Sequence, residues 1–226
     1  MQTDGKELIL KILHLFSDWK WTGPAEPALN LCVELKKRGH DVTFACGKAM
    51  DDYPFPPDSE SIEKSAYERG LVPVTRFHLS KHFSFFKYIS DIKNLSVFMN
   101  EEAYDIVHVH RNQGHLVGGM AARRTGRYLP VVRTNHDGVA LKKNLRNKKC
   151  LTRLTDRLIE VSEEARVADM NSFGLSEDKT IMINASIDCQ RFNPGSGPLT
   201  HRKKFGMKED DIVVGIIARI QTHRRF

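Results

Sequence analysis

The sequence lacks any apolar run near the ~20 residues that span a bilayer, any pair of cysteines at metal or redox spacing, and any internal repeat or low-complexity tract. Its four cysteines, Cys32, Cys46, Cys150 and Cys189, stand far apart. That excludes a disulfide framework and points to a reducing cytoplasm, with Cys32 and Cys46 as core residues of apolar segments. The amino terminus, MQTDGKELILKILHLF, is too charged and its apolar run too short for a signal peptide. Membrane contact is therefore expected to be peripheral at most, at the inner face of the cell membrane. Aromatic residues make up only 8% of the chain and do not interleave with the basic runs, so stacking on single-stranded nucleic acid has no support. The pI of 9.2 does not rescue that reading. Residues 191–226 hold eight Lys/Arg against three acids, which is +5 of the net +7. Nucleic acid is not an expected partner.

At 40% hydrophobic there is material for a sizeable core, and 226 residues suit one large domain or one and a half. Leu8–Phe16 is an apolar β run leading into the polar turn 17–23. Pro24 suits a first helical turn. Ala28, Leu31, Cys32 and Leu35 give a helical stripe that stops at Arg38-Gly39. Asp41–Cys46 completes a βαβ unit. A proline-rich loop, 51–59, is followed by a helix over Ser61–Arg69, a strand-like run Leu71–Thr75 and a longer helix spaced by Phe85, Ile89, Ile92, Leu95 and Met99. Further strands end at His110 and near Asn135, with a helix from about Gly114 to Arg124 between them. Leu158–Val161 is a strand, Ser162 the N-cap of a helix ending near Gly174, and Thr180–Asn184 another strand. Strands alternating with helices predict an α/β fold, a Rossmann-like α/β/α sandwich on a mostly parallel sheet, over residues 1–190. After it come a Pro/Gly linker and an apolar β run, Asp211–Ala218, expected to open a second sheet in a domain cut short (191–226).

The carboxyl ends of parallel strands are where a crevice opens. Residues 105–110, Asp-Ile-Val-His-Val-His, and 130–136, Pro-Val-Val-Arg-Thr-Asn-His, each place histidine there. His108 and His110 share a face by two-residue alternation; His108 reads as a buried residue and His110 as the site candidate. His136, before Asp137-Gly138, is expected to face the crevice. Imidazole there can donate a hydrogen bond or buffer a developing phosphate charge. With His115 a metal cluster is conceivable, but no carboxylate stands at ligand spacing, so no metal is expected. The turn 17–23 occupies the position where α/β domains hold phosphates, yet it has one glycine, and Pro24 removes an amide donor. Lys142–Lys149 holds five basic residues in eight, a solvated face or a contact for an anionic acceptor or membrane.

In order along the chain, Thr22-Gly23-Pro24, KRGHDV (37–42), YDIVHVH (104–110), PVVRTNHDG (130–138), IEVSEEAR (159–166), KTIMINASIDCQRFNP (179–194) and VVGIIAR (213–219) resemble the amino-terminal domain of a GT-B-fold retaining glycosyltransferase of the group 1, family 4 type. The resemblance implies one half of a GT-B fold and transfer of a sugar from a nucleotide-sugar donor to a glycan or lipid-linked acceptor, as in lipopolysaccharide and cell-envelope biosynthesis, with no cofactor. By position it implies that His136 approaches the transferred sugar and that His110 lines the same cleft. Thr22, Gly23, Arg219 and Arg224 would hold the donor diphosphate. Arg111, Asn135, Lys142, Lys143, Ser162 and Glu163 would form the acceptor side.

The chain departs from that pattern at Thr22-Gly23, where the family has a glycine pair, and at Asn184-Ala185-Ser186-Ile187-Asp188, where it has Asn-Gly before the aspartate. The paired glutamates of the second domain lie beyond Phe226, so the chain by itself is expected not to turn over. A non-catalytic binding module built on the same half-fold, or a GT-B nucleotide-sugar epimerase, are the alternatives; the SIDCQRFNP string resembles transferases more.

Overall fold

The computed structural model describes residues 8–48, 61–190, 192–193, 200–208 and 210–215. Two compact units divide the chain, 1–186 and 187–226.

Six strands form the sheet of the first unit: β1 (Lys11–Phe16), β2 (Asp41–Cys46), β3 (Ile106–Val109), β4 (Val131–Asn135), β5 (Arg157–Glu160) and β6 (Thr180–Met182), in the order β2-β1-β3-β4-β5-β6. Every pairing is parallel. This is the expected Rossmann-like α/β arrangement. The helices are α1 (Ala25–Lys37), α2 (Ile62–Glu68), α3 (Phe85–Glu101), α4 (Asn112–Arg123), α5 (Leu145–Lys149) and α6 (Glu163–Phe173), with α7 (Thr200–Lys204) in the second unit. On one face of the sheet, Phe16, Phe44 and Cys46 pack with Ala25, Ala28, Leu29 and Cys32 of α1 and Ile62 and Ala66 of α2. On the other, Leu13, Leu15, Val107, Val109 and Val131 pack with Leu95, Phe98 and Met99 of α3 and Val117, Ala121 and Ala122 of α4. A smaller cluster joins Leu158 of β5 to Leu151, Phe173 and Leu175.

Two helical stripes differ from those the spacing suggests. In α1 the buried positions are Ala25, Ala28, Leu29 and Cys32, while Leu31 is exposed. In α3 they include Tyr88, Leu95, Phe98 and Met99, while Phe85 and Ile89 are exposed. Alanines and a tyrosine carry part of the buried face where the spacing of larger apolar neighbours suggests another, which rotates the face. Leu71–Thr75 is not a strand but a single parallel bridge of Val74 to Ala45; Pro73 has no N–H to extend it. The basic run is partly helical. Asn144 caps α5 through Asn147 N, and a π turn continues it over Cys150–Leu154. Residues 211–215 carry no strand, and the rest of that run lies outside the described residues, as do 51–59, Arg191 and 194–199.

Glycine permits one close approach. A Cβ built at Gly118 of α4 would lie 2.6 Å from Leu15 Cδ1 and 3.0 Å from Val109 Cγ1, and one at Gly119 would lie 2.9 Å from Leu154 Cβ. The helix is thus seated between sheet and π turn at a distance only glycine allows. Gly118→Val is expected to cost about 2 kcal/mol through overpacking. A lowered urea midpoint at unchanged m would record it; an unchanged midpoint would mean the helix can lift away freely.

Candidate functional site

Register creates the site. His14 of β1 pairs with His108 of β3, and alternation puts both, with His110 two residues on, over the same face. All three are buried. His14 Nδ1 lies 3.0 Å from His110 Nε2, and His110 Nδ1 lies 3.0 Å from His136 Nε2. His108 Nε2 is 2.7 Å from Thr134 Oγ1. The result is a string of three imidazoles running from the core at His14 to the crevice at His136. Donor atoms of His14, His108 and His110 come within 4.8 Å of one another, the spacing of a metal site, but His14 and His110 are engaged with each other and His108 with Thr134.

Burial keeps the string neutral. It pushes His14 down to about 3 and His136 down to about 4, and drives His108 and His110 well below the ordinary range; Arg133 adds to it for the last three, and the neighbouring imidazoles for His108 and His110. Each neutral ring carries one proton, and each ring-to-ring bond needs one donor. His14 Nε2 is buried and meets no partner among the described residues. A proton there would be an orphaned buried donor, a costlier state than a bare lone pair. The network therefore assigns the His14 proton to Nδ1, donated to His110 Nε2, and the His110 proton to its Nδ1, donated to His136 Nε2. His136 is left with its proton on Nδ1. Its free nitrogen is then a donor, not a base.

His110 and His136 line a cavity of about 330 Å³ at the carboxyl ends of β1, β3 and β4. Ser17 and Pro24 close it from the first turn, Arg111, Asn112 and Gln113 from the start of α4, Lys81 and His82 from the segment before α3, and Arg133 and Asp137 from β4 and its turn. Asp18 is buried beside it: Oδ1 accepts from the amides of Trp19 and Lys20, while Oδ2 lies 3.6 Å from Arg111 and 3.8 Å from Lys81.

Of the residues the sequence singled out, the structure brings His110, His136 and Arg111 to this cavity, with Pro24 in place of its neighbour Gly23, which is exposed. Thr22 O accepts from Ala25 N, and its Oγ1 is buried without a hydrogen-bond partner among the described residues. Asn135, fully buried, donates to Glu160 Oε2 and to Val139 O, fixing the turn after β4. Ser162 accepts from Ala165 N and donates to Gly138 O, and Glu163 pairs with Arg166. Lys142 and Lys143 are exposed and do not line the cavity. From the same basic run Arg146 turns inward and donates to Gln113 Oε1, which also accepts from the Tyr88 hydroxyl. His115 bonds Thr155 behind α4, away from the string. Arg219 and Arg224 lie outside the described residues.

Sequence reasoning missed His14, Arg133, Lys81 and His82. The first two had a signal: a titratable residue inside the apolar runs KILHLF and PVVRTN is itself an anomaly in a strand buried on both faces. Lys81 and His82 stand in a polar segment with nothing to single them out.

The family model described as Glycosyltransferase Family 4 matches residues 22–191. The D-inositol 3-phosphate glycosyltransferase of Thermobifida fusca (strain YX) is 26% identical over 132 residues, covering 53% of this chain and 30% of that protein. Its counterpart in Streptomyces scabiei (strain 87.22) is 25% identical over 131 residues, 52% and 29% of the two chains. Among solved structures, a glycosyltransferase from Rickettsia africae ESF-5 superposes with a TM-score of 0.70 at 14% identity, covering 89% of this chain and 51% of that one. Anabaena Alr3699/HepE in complex with UDP and glucose gives 0.63 at 16% identity, covering 87% and 50%. A putative UDP-N-acetylglucosamine 2-epimerase from Listeria monocytogenes gives 0.62 at 13% identity, covering 88% and 52%. The chain spans under a third of those curated relatives and about half of those structures.

Proposed function

Because the chain belongs to glycosyltransferase family 4, we propose that it supplies the acceptor-side half of a cleft in which a sugar passes, with retention, from a nucleotide-sugar donor to a glycan or lipid-linked acceptor of the cell envelope. The observation that carries this is the cavity at the strand ends, where the His14–His110–His136 string ends and which Arg111 and Arg133 also line. Breaking a glycosidic bond to a diphosphate builds negative charge on the leaving oxygens. A preorganised donor and fixed cations stabilise that charge without reorganising. On this reading His136 is the residue that touches the reacting sugar or its phosphate, His110 holds its proton in place, and the first turn lies against the diphosphate.

The transfer also needs a group that holds the nucleotide and orients the sugar over the acceptor. The chain by itself supplies one wall, so residues 1–226 are expected to give no turnover. The check is sugar release and transfer from UDP- and GDP-sugars, measured for this chain and for a longer chain with the donor half. Transfer by residues 1–226 alone would refute the division of labour, and none by the longer chain would refute the transferase reading. Epimerase structures share the fold, which makes epimer formation from a UDP-sugar the control reaction. No helix among the described residues is long and apolar enough to cross a membrane; contact with an anionic membrane would be peripheral, through the exposed lysines of the basic run.

A further inference from the structure

The turn after β4 carries His136 and Asp137 to the cavity, yet little apolar burial holds it there. Asp137, Val139 and Ala140 are exposed, and the next buried apolar side chain is Leu141. What pins this turn is polar. Asn135 Nδ2 donates to Val139 O at 2.9 Å and Ser162 Oγ to Gly138 O at 3.0 Å. Leu141 N donates to both oxygens of Asp169 in α6, at 2.9 and 3.2 Å.

Asn135 and Asp169 are linked through one further residue. Glu160 stands opposite Asn135 in the register of β4 and β5, and its Oε2 accepts from Asn135 Nδ2 at 2.9 Å. Its Oε1 is buried and meets no donor among the described residues. The group beside it is the carboxyl of Asp169, and both acids are fully buried. Two ionised carboxylates in one buried site repel, so such a pair keeps one proton between them. A proton on Glu160 Oε1, donated to Asp169, satisfies the orphaned oxygen. It also leaves Asp169 ionised, which strengthens the bonds from Leu141 N. Burial and the neighbouring Asp169 push Glu160 up to about 8, against the opposing pull of Asn135 and the charge of Arg133.

We infer that Glu160 and Asp169 are positioning residues for His136: they share one proton, and the hydrogen bond it makes latches the turn 136–141 in the geometry that carries His136 to the cavity. The inference rests on the transfer reading only for what His136 does there. Loss of the shared proton puts two like charges side by side and breaks the link between Asn135 and Asp169. The latch therefore loosens as the pH rises through about 8.

The test follows residues 1–226 by NMR from pH 6.5 to 9.5. It reads the side-chain carboxyl carbon of Glu160, the exchange protection of the Leu141 amide and the ring nitrogens of His136. Wild-type protein is expected to show Glu160 protonated at pH 6.5 and Leu141 losing protection about 10-fold per pH unit above 8. The His136 shifts should change over the same interval, above the range in which an imidazole itself titrates. Glu160→Gln keeps a neutral donor to Asp169, so the turn should stay protected and the pH dependence vanish. Asp169→Ala should expose Leu141 and shift the His136 ring at every pH, while Asp169→Asn, which can still accept from Leu141 N, restores both. A pair that only stabilises the fold would lower the melting temperature in these variants and leave the His136 ring unmoved, which overturns the inference. So does a Glu160 carboxyl ionised at pH 6.5, or a wild-type pH dependence in Glu160→Gln. Should Asp169→Ala fail to fold, Glu160→Gln decides alone. None of these readouts needs sugar transfer: a latch that behaves as expected, beside a longer chain that transfers none, would refute the transferase reading and not this one.

Discussion

Lowering the pH from 7 to 5 is expected to destabilise the first unit strongly. Five imidazoles, those of His14, His108, His110, His115 and His136, are held neutral by burial with folded-state values below the ordinary 6.5. In the unfolded chain each takes up a proton as the pH falls through about 6.5, so the unfolded state binds more protons and is favoured. The stability that these groups contribute is present above pH 6.5 and lost as the pH drops toward their folded values, about 4 for His136 and about 3 for His14. Between pH 7 and 5 that amounts to about 2 kcal/mol for each ring that stays neutral.

Two carboxyls oppose them, Glu160 and its neighbour Asp169, both raised by burial. Glu160 is pushed up to about 8 by burial and by Asp169, so its contribution is present below about 4.5 and lost as the pH rises through 8. Over the same interval acidification returns about 2 kcal/mol from it. The five rings outnumber the two carboxyls, which leaves a net loss of several kcal/mol, a large fraction of the stability of an ordinary domain. Circular dichroism melts across pH 7.5 to 4.5 measure this. The melting temperature should fall steeply below pH 6.5, and His14→Phe should make the fall shallower. A value at pH 5 within a few degrees of that at pH 7 would show that the rings take up protons inside the fold.

His136→Ala, in a protein carrying both halves of the cleft, is expected to lower kcat about 10²- to 10³-fold, the usual effect of removing one donor to a developing oxyanion. The string assigns its proton to Nδ1. Asparagine places an amide N–H close to that position, so His136→Asn should recover part of the rate while His136→Ala does not. His14→Phe should act at a distance: it removes the inner donor, frees His110 to reverse its tautomer, and leaves His136 Nδ1 without a fixed proton. Nitrogen-15 chemical shifts of the ring of His136 read that reversal directly, and a structural role alone would not move them. Wild-type rates in His136→Ala would remove this residue from the reaction, and an asparagine variant no better than alanine would remove the donor assignment.

What was legible in the sequence was local. Each strand of the sheet is a short apolar run stopped by a turn, and α6 is marked by its caps: Ser162 accepts from Ala165 N and Gly174 ends the helix at a positive φ of 68°. The strand-end histidines could be found because the end of a parallel strand is a place defined by the run itself. Helical faces were less legible: Ala25 and Leu29 carry α1, and alanine gives too weak a signal against a nearby leucine.

Thus the chain by itself determined an alternating α/β order, a parallel sheet and a crevice with His110 and His136 on its rim. Only the tertiary structure decided that His14, 96 residues from His110, stands at the head of the same string, and that Arg133 Nε and Nη1 are buried without an acceptor among the described residues. The reason is physical. Periodicity fixes which way a side chain points from its own strand, but a hydrogen bond or an unpaired charge depends on what the neighbouring strand brings opposite it, and that is set by register across the sheet.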